Sequence, residues 1–267
     1  MPVHPEAVIH PTAIVEDGAV VGPGCRIGPY CVLGPEVELA REVTLHSHVA
    51  VAGVTRIGAG TVIFPFASIG HAPQDLKYAG ERVELVIGER NRIREHVTMS
   101  PGTAGGGGVT RVGDDNLFMM STHVAHDCVV GSRVVMANNA TLAGHCVVED
   151  NVILGGLAAV HQFVRLGRGA MIGGLSGVVA DVIPFGSVMG ERAFLAGLNL
   201  VGLKRAKAER AQIHGLRNAF GEIFEGDGTL QDRARRVGER HAENPLVQEV
   251  VRFVISETSR SFTLPAD

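Results

Sequence analysis

The sequence predicts a mainly β fold: a left-handed parallel β-helix of hexapeptide repeats over residues 1–190, followed by a C-terminal α-helical domain over 191–267. Three observations predict it. An aliphatic residue recurs every six positions, glycine commonly follows it, and helical spacing takes over after Gly190. The anchors run without a miss through Ile9, Val15, Val21, Ile27, Leu33, Leu39, Leu45, Val51, Ile57, Ile63 and Ile69. The phase resumes at Ile87, Ile93 and Met99, slips by one, and runs again from Val112 to Val178. A helix cannot keep this period, because ~3.6 residues per turn would swing the apolar stripe by ~240° at each step. A flat strand alternates at two. A triangular coil fits: three short strands per turn, each sending one aliphatic side chain inward, with glycines at the corners. Eighteen residues then complete a turn, and turns stack at the ~4.8 Å strand spacing.

Two positions before each anchor the residue is slim, as at Ala7, Ala13, Ala19, Cys25 and Cys31. Cys25, Cys31, Cys128 and Cys146 therefore read as interior filler in a reducing compartment, in no arrangement that makes a zinc or disulfide framework. Residues 72–83 and 101–110 break the pattern and read as loops expelled from the coil. The glycine run in the second lacks the GK[ST] ending of a phosphate loop and reads as a flexible excursion. Segments near 206–225, 230–243 and 246–259 have helical spacing and are expected to pack on the last turns, covering the open sheet edge.

Composition narrows the class. Apolar residues at 45% exclude disorder, and a net charge of −4 argues against a nucleic-acid binder. No apolar run reaches the ~20 residues of a membrane span, and the first residues carry no secretory pattern, so a cytoplasmic protein is expected.

Residues one turn apart lie above one another, which converts sequence into geometry. His126, Gly144 and Gln162 form one column, Asp127, His145 and Phe163 the next, and Ala125, Ala143 and His161 a third, with His123 just before its anchor. Imidazole acts as a general base near neutrality and a carboxylate can fix its tautomer. Asp127 could do so for His126 only if the corner bends both side chains to one side. Gly144 offers an unobstructed backbone N–H for an oxyanion. The same histidines could instead bind zinc across subunits, so the columns leave both chemistries open.

The runs STHVAHDC (121–128), NNATLAGH (138–145) and GGLAAVHQF (155–163) resemble the UDP-N-acetylglucosamine acyltransferases of lipid A biosynthesis. SIGHAPQDLKYAGE (68–81), RNRIREHVTMSPGT (90–103) and NLVGLKR (199–205) are similar to further segments of that family, so the likeness spans essentially the whole chain. The resemblance implies a homotrimer with active sites between subunits. It implies transfer of an R-3-hydroxyacyl chain from acyl carrier protein, where it is held as a phosphopantetheine thioester, to the 3-hydroxyl of the UDP-sugar. No metal and no cofactor of the enzyme's own is implied. His126 matches the general base, Asp127 its orienting acid and Gly144 the oxyanion donor. His123, His145, His161 and Gln162 match substrate contacts, as do Gln74, Asp75 and Lys77 of the first loop. Gly174 falls where the family measures acyl length, and Asn199 and Arg205 match the nucleotide-contacting tail. Val201, Ala206 and Ser100-Pro101 depart from the family pattern. Some relatives acylate a 3-amino sugar, which is the alternative acceptor.

Overall fold

A computed structural model describes residues 3–266. The chain coils as the hexads predict, into a left-handed parallel β-helix. Most strands are two residues long and fall in turn on three sheets. The first sheet has 11 strands beginning at Val8–Ile9, the second 9 beginning at Ile14–Val15, and the third 8 beginning at Val20–Val21. Partners such as Ile9 and Ile27 lie 18 residues apart. The anchors fill the prism: Leu33, Ile63, Ile93, Phe118, Leu142 and Ile172 are fully buried. So are all four cysteines at filler positions, which are free thiols, whereas Ala7 and Ala13 in the first turn are only partly buried.

The register also explains the slipped phase. Across the first loop, Ile57 pairs with Ile87, 30 residues on instead of 18, so the excursion of 12 is two whole hexads and keeps phase. Across the second, Ile87 pairs with Val112, 25 residues on, and the excursion of 7 is one hexad plus one.

One expectation is corrected. Glycine follows the anchor because of close approach, and the corner conformation is carried by other residues. A Cβ on Gly28 would lie 2.8 Å from the carbonyl carbon of His46 in the next turn, and Gly58 is equally crowded by Gly88. The left-handed corner position is filled mostly by larger residues, among them Tyr30, His48, Phe66, Asp127, His145 and Phe163, all with φ near 60°.

The last parallel strand ends at Met189, but the first sheet runs on past Gly190. Strand Gly186–Met189 turns back on Phe194–Leu198, the antiparallel pair that ends the first sheet. Four helices follow: α1 (Leu200–Arg205), α2 (Arg210–Phe224), α3 (Leu230–Arg240) and α4 (Pro245–Ile255). The first expected helical segment thus begins only at Arg210, after a break where Lys207 is left-handed, α1 precedes it as a helix that the spacing does not predict, and the last segment ends before 259. Ile213, Leu216, Ala219 and Ile223 bury one stripe of α2. Asn244 caps α4 by accepting from the Leu246 N–H, with Pro245 pre-set for the first helical position. The α4 helix sits on the third sheet, where Arg165 donates to Asp181 at 2.7 Å and lies 4.4 Å over the Phe253 ring. Among the described residues no helix is long and apolar enough to cross a membrane.

Candidate active site

The His126 columns lie on the prism edge where the chain passes from the second sheet to the third. Strands His123–Val124 and Thr141–Leu142 pair in register, so the corners after them stack. His145 N–H donates to the His126 carbonyl at 3.0 Å, and Phe163 N–H to the Gly144 carbonyl at 3.1 Å. The His145 ring lies flat on Phe163, with centroids 4.4 Å apart. Both long loops leave the coil at this same edge, one and two turns before the His126 corner.

The left-handed conformation of Asp127, φ 59°, makes the two side chains meet. His126 Nδ1 lies 2.8 Å from Asp127 Oδ2, with the carboxylate buried and the imidazole nearly so. Thr103, on the second loop, donates its backbone N–H to Oδ1 at 2.8 Å and its hydroxyl to Oδ2 at 2.6 Å. Asp127 N–H in turn donates to the Thr110 hydroxyl at 2.8 Å. Burial pushes the Asp127 pKa up, but the hydrogen bonds from Thr103 and His126 outweigh it and hold the group below the usual carboxylate range. An anion at Oδ2 places the imidazole proton on Nδ1 and leaves the Nε2 lone pair free.

Burial biases the neighbouring histidines toward the neutral form. Burial lowers the His123 pKa, and its Nδ1 lies 2.7 Å from the Thr98 hydroxyl. Burial also lowers that of His145, against the pull of Asp127 at 3.9 Å; Asp75 and Lys77 of the first loop act on it in opposite directions. His126, Asp127 and His145 bring three possible metal-ligand atoms within 4.8 Å of one another. Both Asp127 oxygens are already taken by Thr103 and His126, so the set fits a hydrogen-bonded dyad better than a coordination shell.

Gly144 completes the arrangement. The first corner position has no carbonyl facing its N–H, which is why proline occupies it at Pro29, Pro65 and Pro184. Ala143 and His145 donate to backbone carbonyls, whereas Gly144 N–H has no backbone partner among the described residues. A Cβ there would lie 2.5 Å from His126 Cε1 and 2.6 Å from Nε2, so the free edge of the imidazole rests on bare backbone. A proton acceptor beside an unoccupied N–H donor is what acyl transfer requires.

The other residues singled out in the sequence separate by edge. His161 and Gln162 are exposed one turn beyond Gly144, with Arg260 donating to His161 Nδ1 at 2.9 Å. Gln74 and Lys77 are exposed on the first loop, and Asp75 accepts the Lys77 N–H at 3.0 Å. Gly174 lies on the edge between the first and second sheets, next to exposed Leu175 and one turn past exposed Leu157. Asn199 lies on the remaining edge, where its amide donates to the Gly169 carbonyl and accepts from Gly202 N–H, capping α1. Arg205 is exposed at the end of that helix. The chain thus gathers His123, His126, Asp127, Gly144 and His145, with Asp75 and Lys77 near His145, and keeps Gly174, Asn199 and Arg205 elsewhere. Clefts of about 380 and 330 Å³ lie away from His126, one under α4 and one beneath the first loop. Thr103, Thr110 and Arg260 escape the sequence reading: two lie at or beside an expelled loop and one in the tail, where the hexad register assigns no partner.

The family model described as "Udp N-acetylglucosamine O-acyltransferase; Domain 2" matches residues 181–263. The acyl-[acyl-carrier-protein]–UDP-N-acetylglucosamine O-acyltransferase of Paracoccus denitrificans is 61% identical over 205 residues, 76% of this chain and 77% of that one. A crystal structure of a UDP-N-acetylglucosamine acyltransferase superposes with a TM-score of 0.89 at 43% identity, covering 99% of both chains. The UDP-N-acetylglucosamine acyltransferase from Campylobacter jejuni gives 0.87 at 35% identity, covering 99% of this chain and 100% of that one.

Proposed function

We infer the reaction from the family: the chain belongs to the acyl-[acyl-carrier-protein]–UDP-N-acetylglucosamine O-acyltransferases. It is an acyltransferase, moving an acyl chain from acyl carrier protein to a hydroxyl of UDP-N-acetylglucosamine. The proposal extends to an R-3-hydroxyacyl donor, the sugar 3-hydroxyl as acceptor, a cytoplasmic reaction and the first step of lipid A biosynthesis. The observation that carries it is the His126 Nδ1 to Asp127 bond at 2.8 Å, with the opposite ring edge against Gly144.

The sugar hydroxyl is a poor nucleophile until a base takes its proton. His126 Nε2 accepts that proton as the oxygen attacks the thioester carbonyl carbon. Negative charge then gathers on the carbonyl oxygen, where Gly144 N–H donates to it. The imidazolium is stabilised by anionic Asp127. Collapse breaks the C–S bond, and the proton passes from His126 to the departing phosphopantetheine thiolate. The electron pairs needed come from the substrates, so the reaction calls on no metal and no cofactor of the enzyme's own.

The working unit is a homotrimer. A substrate spanning His126, Gly174 and Asn199 would have to touch three different edges of a prism. Edges of neighbouring copies can face one another across a cleft, and three-fold closure makes the clefts equivalent. His161, Gln162, Gln74, Asp75 and Lys77 would line the cleft beside the base, with Arg205 reaching in from a neighbour.

The test is mass spectrometry of products from UDP-N-acetylglucosamine and a ladder of hydroxyacyl carrier proteins, on protein whose mass light scattering has recorded. An O-acylated nucleotide sugar with release of the carrier thiol, made by a trimer, is expected. No acyl product would overturn the reaction, and a fully active monomer would overturn the shared cleft.

A further inference from the structure

We propose that Thr103 and the glycine run after it form a clasp that holds Asp127 in position for His126, making Thr103 a positioning residue of the reaction. The inference rests on the function proposed above and deepens it. Thr103 is buried, and both its backbone N–H and its hydroxyl point at one carboxylate, at 2.8 and 2.6 Å. With the His126 N–H at 2.8 Å, Asp127 therefore receives three donors. The carboxylate is fixed in plane, with Oδ2 held toward the imidazole.

The glycines give the clasp its shape. Gly106 has ordinary backbone φ, yet a Cβ there would overlap the Asp127 carboxylate, so the loop closes directly over the anion. Gly107 at φ 96° and Gly108 at φ 80° carry the chain back to the third sheet through the left-handed region. The run GGGG at 105–108 is thus a cover over a buried charge. Glu81 of the first loop accepts the Ala104 N–H at 3.2 Å, which ties the two loops together at the clasp.

The clasp bears on proton affinity as well as geometry. The ionisable groups around Asp127 are His126 on its own corner, His145 one turn on, and the Cys128 thiol next in the chain, with Glu81 on the loop side. Only Thr103 and His126 donate hydrogen bonds to the carboxylate, while His145 at 3.9 Å acts on it through charge alone. Removing the Thr103 hydroxyl takes one stabiliser from the anion. The His126–Asp127 pair then holds its inactivating proton more tightly, and the acid limb of kcat moves to higher pH.

The experiment compares Thr103→Val, which keeps shape and backbone N–H, with Thr103→Ser, which restores the hydroxyl, and with His126→Ala. Thr103→Val should lower kcat roughly 10- to 100-fold, the equivalent of one hydrogen bond to a charged group. KM for both substrates should change by less than about threefold, and the acid limb should rise by about one pH unit. Thr103→Ser should recover most of the rate and the original limb. Thr103→Val with a near-normal kcat and an unmoved limb, beside an inactive His126→Ala, would overturn the clasp alone. A Thr103→Ser as slow as Thr103→Val would also overturn it, assigning the loss to packing. An active His126→Ala would remove the site reading with it. If Thr103→Val does not fold, Gly106→Ala tests the same contact from the other side: a slow enzyme with a raised limb is expected, and a normal one overturns the proposal.

Discussion

Adding one methyl group at Gly144 should disable the proposed base, His126, without substituting it. Gly144 has no left-handed φ, so alanine is conformationally acceptable there, and the substitution keeps the backbone N–H. The new Cβ would stand 2.5 Å from His126 Cε1 and 2.6 Å from Nε2, whereas ordinary contact begins at 3.4 Å. The ring must therefore retreat by about 0.9 Å, the difference between those contacts. It cannot retreat freely, because Nδ1 is held at 2.8 Å by an Asp127 that Thr103 clasps from the other side. Either the His126–Asp127 bond lengthens, or Nε2 leaves the line of the sugar hydroxyl. A displacement of ~1 Å at a reacting group costs on the order of 10² in rate, about 2.7 kcal/mol. Steady-state kinetics on folded Gly144→Ala should show kcat falling by about that factor, with KM for the nucleotide sugar little changed. A kcat within about threefold of the parent would refute the close contact as a determinant of base position.

The remaining predictions address the base, the carrier and the acyl chain. His126→Ala should cut kcat by at least ~10², the lower figure for losing a general base, and Asp127→Asn should cost less because the base remains; stopped-time assays on both check the ranking. Lys204, Arg205, Lys207 and Arg210 are exposed around α1 and the start of α2, and should attract the acidic carrier protein. KM for the acylated carrier should then rise with ionic strength and with charge reversal at these positions, and a salt-independent KM would move the docking site elsewhere. At Gly174 a Cβ would be tight only against the Gly156 carbonyl oxygen, at 3.3 Å, with the Gly156 nitrogen in ordinary contact at 3.9 Å, so the coil can take a larger residue by yielding a few tenths of an ångström. Gly174→Met should shift preference to shorter acyl chains in a competition assay, and an unchanged preference would leave Gly174 as a corner residue only.

How much of this was legible depended on whether periodicity reached the residue. The six-residue spacing placed Ile63, Ile93 and Leu142 in the core and Gly144 over His126, because a solenoid makes sequence separation and height proportional. It could not place Asp127, whose inward turn comes from a left-handed φ that any residue type can hold at this corner; Leu157 and Phe163 hold it as well. The glycine after the anchor was read for its torsional freedom, but the neighbouring turn requires it for want of space. Thr103 was invisible because an expelled loop has no register, so nothing in the hexads says that it folds back over the edge. Helix α1 was missed for a related reason: its six residues are too few for a helical period, and its start depends on Asn199 reaching Gly169 across the fold.

The excursions and the chemistry share one edge for a physical reason. The third sheet resumes in register after each loop, with partners 30 and then 25 residues apart, so the coil continues undisturbed and the added chain must stay outside it. Chain expelled below the His126 corner can fold along the edge, and both loops do: Thr103 reaches Asp127, and Asp75 and Lys77 come near enough to act on His145. Beyond His126 no loop intervenes, and the corners at 126, 144 and 162 keep the strict 18-residue step. The backbones that carry the proposed base and oxyanion donor are therefore one strand spacing apart, ~4.8 Å, fixed by the backbone ladder itself. A tetrahedral centre can bridge that gap, with its attacking oxygen near Nε2 and its carbonyl oxygen near the N–H. The rigid part of the fold sets the spacing of the His126 and Gly144 backbones, and the expelled part, through Thr103, holds the carboxylate that orients the His126 ring.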